Sequence, residues 1–133
     1  MNTLTPNEEE LQKLMQHPDT SPVVMVNLLK FKTDTGDGET GEEAYTRYTQ
    51  NAATFVAKIG GRVLWYGHAD QFIIGGPEDR WDRVLLVEYP SRAAFLKMVQ
   101  MPEFQAVQKE RQAALERTVL IATTTLRSAY PDM

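Results

Sequence analysis

The chain has 133 residues, 42% of them hydrophobic and 24% charged, with a formal net charge of -4 and no cysteine. These values describe a globular chain long enough to bury a core, and they exclude disorder as its main state. They also exclude a disulfide framework and thiolate chemistry, and without a basic stripe they argue against a nucleic-acid partner.

The opening run, MNTLTPNEEE, is polar and acidic, the opposite of a signal peptide. No apolar run approaches the roughly 20 residues that span a bilayer. The expectation is a cytoplasmic protein with no membrane partner. Thr5-Pro6-Asn7-Glu8 reads as a capping box with proline at the first helical position. Leu11, Leu14 and Met15 then make a short apolar stripe, and His17-Pro18 stops the helix. So little apolar surface predicts an accessory helix, and residues 1–21 are read as an extension of the domain.

Val23 to Phe31, VVMVNLLKF, is apolar apart from Asn27 and Lys30, as expected of a central strand buried on both faces. Lys32 to Thr40 is an acidic, glycine-bearing loop, expected to be solvated and mobile, a lid over a pocket mouth. Its Asp34, Asp37 and Glu39 fail the spacing of a calcium loop, so no metal is expected there. Thr40-Gly41-Glu42-Glu43 is a second capping box, starting a helix that runs to about Ile59 and stops at Gly60-Gly61. Tyr45, Tyr48, Ala52, Phe55 and Ile59 form its buried stripe.

Val63 to His68 and Arg83 to Tyr89 are rich in aliphatic and aromatic residues, and Gly75 to Asp79 is turn chemistry, so the pair reads as a long antiparallel hairpin. Strict alternation puts Val63, Trp65 and Gly67 on one face and Leu64, Tyr66 and His68 on the other. On the second run Trp81, Arg83, Leu85, Val87 and Tyr89 oppose Asp82, Val84, Leu86 and Glu88. Neither face is cleanly polar, so both must be covered. Both tryptophans are expected to pack at the sheet or at a dimer seam.

Ser91 caps a short helix, Pro102 restarts the chain as a helix over Glu103 to Glu116, and Thr118 to Leu126 reads as the last strand. Residues 22–126 thus form the core of one domain spanning 1–133, with 127–133 as a tail. The order of elements predicts an α+β fold, the ferredoxin-like βαββαβ arrangement with a four-stranded antiparallel sheet plus the accessory helix. The first and third strands are placed at its centre, as its one parallel pair. Two helical segments cover one face. The other is too apolar for water and predicts a homodimer that buries sheet on sheet.

The run PVVMVNLLKF, Tyr45-x-x-Tyr48, Gly60-Gly61-Arg62, Trp81-Asp82-Arg83 leading into Glu88-Tyr89-Pro90-Ser91, and Phe104 with Arg111 resemble the domain of unknown function 1330 family, in the dimeric α/β-barrel superfamily. The likeness covers about Val23 to Leu126. It implies a homodimer whose two sheets form a barrel with the helices outside. Relatives in that superfamily include cofactor-free monooxygenases, haem-degrading enzymes, isomerases and ligand-sensing modules, and fold alone does not choose among them.

Asn27, a mid-strand amide in an apolar run, either ties down backbone or faces a cavity. Tyr45 and Tyr48 are either core aromatics or pocket walls with hydroxyls to offer. His68, the only histidine inside a strand, is the candidate catalytic base, against the plain reading of a structural histidine. Arg111 lies seven residues after Phe104 and four after Val107, so it faces inward. There it must snorkel out, pair with Glu88 or Asp82, or point into a wet pocket. No serine triad, phosphate loop, HExxH or dinucleotide fingerprint is present. The expectation is a small-molecule-binding homodimer with no cofactor and no metal. Asn27, Tyr45, Tyr48 and Arg111 would contact an apolar or aromatic ligand, with cofactor-free oxygenation or isomerisation as possible chemistry. The alternatives are a non-catalytic ligand-binding or stress-response module, and a structural dimer with no pocket.

Overall fold

The structure, a computed structural model, describes residues 4–129. Its first helix, α1 (Glu8–Gln16), is capped by Asn7, whose Oδ1 accepts from the Glu9 and Glu10 amides at 2.9 and 3.2 Å. The capping box therefore does not form at Thr5, because the Asn7 amide satisfies two free N–H groups alone. Leu11 and Leu14 lay α1 against the core beside α3 (Arg92–Val99).

β1 (Val23–Phe31) follows, then α2 (Gly41–Lys58), with the Thr40–Glu43 capping box formed and Gly60 at φ +84° ending it. β2 (Arg62–His68) and β3 (Arg83–Tyr89) make the hairpin, and a 3-10 turn at Pro77–Asp79 lies in its connection. Ser91 Oγ caps α3 through the Ala94 amide at 3.1 Å. α4 (Pro102–Ala114) passes straight into β4 (Leu115–Thr123). The last strand thus starts three residues earlier than its β-branched run suggested. Leu115 is fully buried and pairs with Phe31, so packing takes it into the sheet. The expected tail begins at Arg127, and residues 130–133 lie outside those described.

Sheet order is β2-β3-β1-β4, and every neighbouring pair is antiparallel. β1 and β3 are central, as expected, but they are not a parallel pair. Each crossover returns parallel to a strand one place away, and the strand between them is reversed. This is the ferredoxin-like α+β fold. Among the described residues no helix is long and apolar enough to cross a membrane.

A β-bulge between Val63 and Trp65 resets the parity of β2. Val63 pairs with Val87 on the helix-covered face, whereas Trp65 pairs with Leu86 on the open one. Val63 and Trp65 therefore do not share a face, which strict alternation could not reveal. On the open face Val26, Leu28, Val84, Leu86 and Val119 are only half-buried, Trp65 is 51% exposed and Ile121 43%. Trp81 is half-buried beneath the Arg117 guanidinium, 4.4 Å from its ring.

Candidate functional site

The inward residues of β1 and β3 alternate toward the helices: Val23, Met25, Asn27 and Leu29 on one strand, and Leu85, Val87 and Tyr89 on the other. The inward stripe of α2 supplies Tyr45, Tyr48, Ala52 and Phe55; α3 supplies Phe95 and Met98, and α4 supplies Phe104. Phe55 and Phe104 meet edge to face at 5.6 Å, as do Tyr89 and Phe95 at 5.1 Å. These walls do not close completely. They leave a cavity of about 310 Å³ lined by Met25, Asn27, Tyr48, Val87, Phe104, Arg111 and their neighbours. The core is therefore not filled.

Four of the residues singled out from the sequence, Asn27, Tyr45, Tyr48 and Arg111, all line this cavity. Arg111 projects from the last turn of α4 and is only 5% exposed. Its Nη2 donates to Thr118 Oγ1 at 3.0 Å and to Asn27 Oδ1 at 3.4 Å. The Thr118 hydroxyl in turn donates to the Leu28 carbonyl at 2.9 Å, which fixes it as an acceptor toward the arginine. Asn27 Nδ2 donates to Leu85 O at 3.4 Å. Asn27 thus both ties down backbone and faces the cavity.

Neither carboxylate considered as a partner for Arg111 reaches it. Glu88 lies on the open face, paired with Arg62 Nε at 2.9 Å. Asp82 accepts from Lys30 Nζ at 3.3 Å and from the Phe31 amide at 2.8 Å. Arg111 joins none of the ion pairs among the described residues. Its charge is therefore met by neutral oxygens and by the cavity.

Three buried phenols share this environment. Burial pushes the Tyr45 hydroxyl far above its ordinary value of 10.0, and the nearby Arg111 charge offsets only part of that. Burial also raises Tyr48, against the same opposing charge. Tyr89 is raised chiefly by burial and further by Tyr48. All three are neutral donors or acceptors throughout the physiological range.

His68 lies elsewhere. It is exposed at the end of β2, outside the lining of the cavity, and its Nδ1 accepts from Arg83 Nε at 3.2 Å. Arg83 also donates to the Tyr66 hydroxyl at 3.0 Å, pairs with Glu42 and stacks over Phe31 at 5.1 Å. His68 thus belongs to a polar cluster at the sheet edge. The acidic loop is not over the cavity either: no residue from Lys32 to Thr40 lines it. Asp34 caps the Gly36 amide at 2.7 Å, and Glu39 holds Arg47 at 2.8 and 2.9 Å. No cluster of three or more histidine, aspartate or glutamate side chains suited to a metal occurs among the described residues.

Two contributors were missed from the sequence. Thr118 follows Arg111 by seven residues across a helix-to-strand junction, and only its register opposite Leu29 brings the two together. Tyr89 stood on the inward parity of the second hairpin strand, so the signal for it was present.

The model of a domain of unknown function, DUF1330, matches residues 39–125. A protein of unknown function from Rhodopseudomonas palustris is 32% identical, with a TM-score of 0.88 over 96% of this chain and 100% of that one. A dimeric protein of unknown function with a ferredoxin-like fold from Bacteroides fragilis is 17% identical, with a TM-score of 0.53 over 78% and 96%. A putative antibiotic biosynthesis monooxygenase from Bacteroides thetaiotaomicron is 15% identical, with a TM-score of 0.55 over 82% and 93%. The last two share the fold alone. No curated protein shows significant similarity to the chain.

Proposed function

The chain belongs to the DUF1330 family of domains of unknown function, and for this member we propose a homodimer that holds one small apolar or aromatic molecule in each subunit. The observation that carries this reading is the cavity between sheet and helices, about 310 Å³. That is the low end of the size range of small-molecule sites, and its mostly apolar wall with a few convergent polar groups is their usual chemistry. Asn27, Tyr45, Tyr48 and Arg111 would orient the ligand's polar end, while Met25, Val87 and Phe104 take its apolar body. What these residues offer is recognition. The phenols hold their protons, and the candidate base His68 stands outside.

A thermal-shift screen against small aromatic and aliphatic metabolites tests the proposal, since a ligand of the folded state raises Tm. At a ligand concentration a hundred times Kd the stabilisation is about 2.7 kcal/mol. Ala52→Phe, which places a ring into the cavity wall, should cancel that shift while the protein still melts cooperatively. A shift that survives Ala52→Phe would place the ligand elsewhere.

The second reading, cofactor-free oxygenation or isomerisation in the same cavity, is favoured by one observation. Arg111 is a permanent cation beside an apolar space, an arrangement that stabilises an oxyanion forming on a bound substrate. Turnover of a ligand found in the screen separates this from binding alone.

The homodimer would bury the open sheet face against its counterpart. Light scattering at micromolar concentration should give twice the monomer mass, and the paired faces should bury more than about 1,000 Å² in total. Trp65 and Ile121 are already half exposed in the single chain. Replacing both with glutamate should therefore give a folded monomer. Persistence of the dimer in that variant would move the interface to another surface.

A further inference from the structure

Resting on the reading of the cavity as a ligand site, we propose that its ligand is a monoanion: an apolar carboxylate of about ten non-hydrogen atoms in all, held by Arg111. The size follows from the volume, since about 310 Å³ divided by the roughly 30 Å³ that each water occupies in the liquid gives about ten such units. The charge follows from a count of partners. A guanidinium removed from water is costly unless its charge is met. At Arg111 two neutral oxygens, Thr118 Oγ1 and Asn27 Oδ1, share one nitrogen, the neutral Tyr45 hydroxyl is a further partner, and no carboxylate of the described residues lies within ion-pair distance. The other cation at the cavity wall, Arg62, is engaged by Glu88 at 2.9 Å.

One positive charge with no carboxylate partner among the described residues, beside a mostly apolar cavity, is balanced by one negative charge. A dianion such as a phosphate monoester would leave a net negative charge buried, and a neutral ligand would leave the positive one. Among monoanions a carboxylate fits the planar fork of arginine with two parallel hydrogen bonds. The phenols of Tyr45 and Tyr48 lie beside the guanidinium and are neutral, so they add no competing charge. Asn27 is an amide where a carboxylate of the chain itself would have neutralised Arg111, and this leaves the charge available.

The test uses phenylpropanoate and its amide, phenylpropanamide, which share shape and differ in charge, with binding followed by calorimetry on the full chain. In the unmodified protein the carboxylate should bind about tenfold or more tightly than the amide. Arg111→Met should abolish that preference. Because loss of Arg111 also removes its bond to Thr118, a second variant guards against misfolding. Asn27→Asp sets a carboxylate beside the guanidinium and should lower the ratio of carboxylate to amide affinity tenfold or more. Equal binding of carboxylate and amide would overturn the monoanion and leave the ligand site standing. Binding of neither would overturn both. A carboxylate preference that survives Arg111→Met and Asn27→Asp would also overturn the assignment to Arg111.

Discussion

Gly41→Ala should destabilise the protein by about 3 kcal/mol or more and lower Tm by about 10 °C, although helix propensity alone predicts a gain. Gly41 is the first residue of α2, packed where the end of β1 meets the junction of α4 and β4. Its amide donates to the Lys32 carbonyl at 2.8 Å, and the Lys32 amide donates to the Ala114 carbonyl at 3.0 Å. A Cβ there would stand 2.5 Å from both Lys32 N and Lys32 O, and would also meet the Ala114 carbonyl oxygen. All three atoms are backbone, so no side chain can swing away, and the strand end or the helix start must move. Gly38→Ala is the control. Gly38 has open space around it but a φ of +79°, so it should cost only about 1 kcal/mol. An unchanged or higher Tm for Gly41→Ala would show that this three-way contact is looser than described.

The second large effect is expected at high pH. Below pH 10 the buried phenols Tyr45 and Tyr89 are neutral in both folded and unfolded chains, and their full contribution to stability is present. Above pH 10 the unfolded chain releases those protons while burial keeps the folded phenols neutral, so stability falls as pH rises. Each phenol that stays protonated removes about 1.4 kcal/mol per pH unit, so the two together remove about 3 kcal/mol per unit. The loss reaches about 5 kcal/mol near pH 12, enough to unfold a domain at the low end of ordinary stability. Urea midpoints taken from pH 9 upward, with the absorbance of phenolate followed in parallel, measure this. Tyr45→Phe should reduce the slope by about 1.4 kcal/mol per pH unit. Full phenolate absorbance without loss of the fold would show that these hydroxyls reach water.

Both effects depend on contacts that are close in space and far apart in sequence, and the candidate site has the same character. Asn27, Tyr45, Tyr48 and Arg111 were legible because each breaks or ends an apolar pattern whose period marks an inward face. Thr118 was not, because helix and strand periods on the two sides of Ala114 cannot be joined without the register of β4 against β1. His68 was the candidate base only as the one histidine inside a strand. Its placement was decided by its position at the end of the edge strand β2, where it accepts from Arg83 outside the cavity.

By itself the sequence determined the βαββαβ order, the bounds of β1 and β3, the second capping box, and the two-sided apolar character of the central strands. Each of these follows from neighbours within about one turn or one strand pair. Only the tertiary structure decided where helix α4 gives way to strand β4, which face Trp65 occupies, and that β1 and β3 run antiparallel. The same holds for Arg111. Its inward direction is a matter of helical period, but the absence of a carboxylate partner among the described residues depends on Glu88 and Asp82 being claimed by Arg62 and by Lys30 with the Phe31 amide. A periodic pattern states which way a side chain points; what it meets there depends on which other strands and helices pack against it.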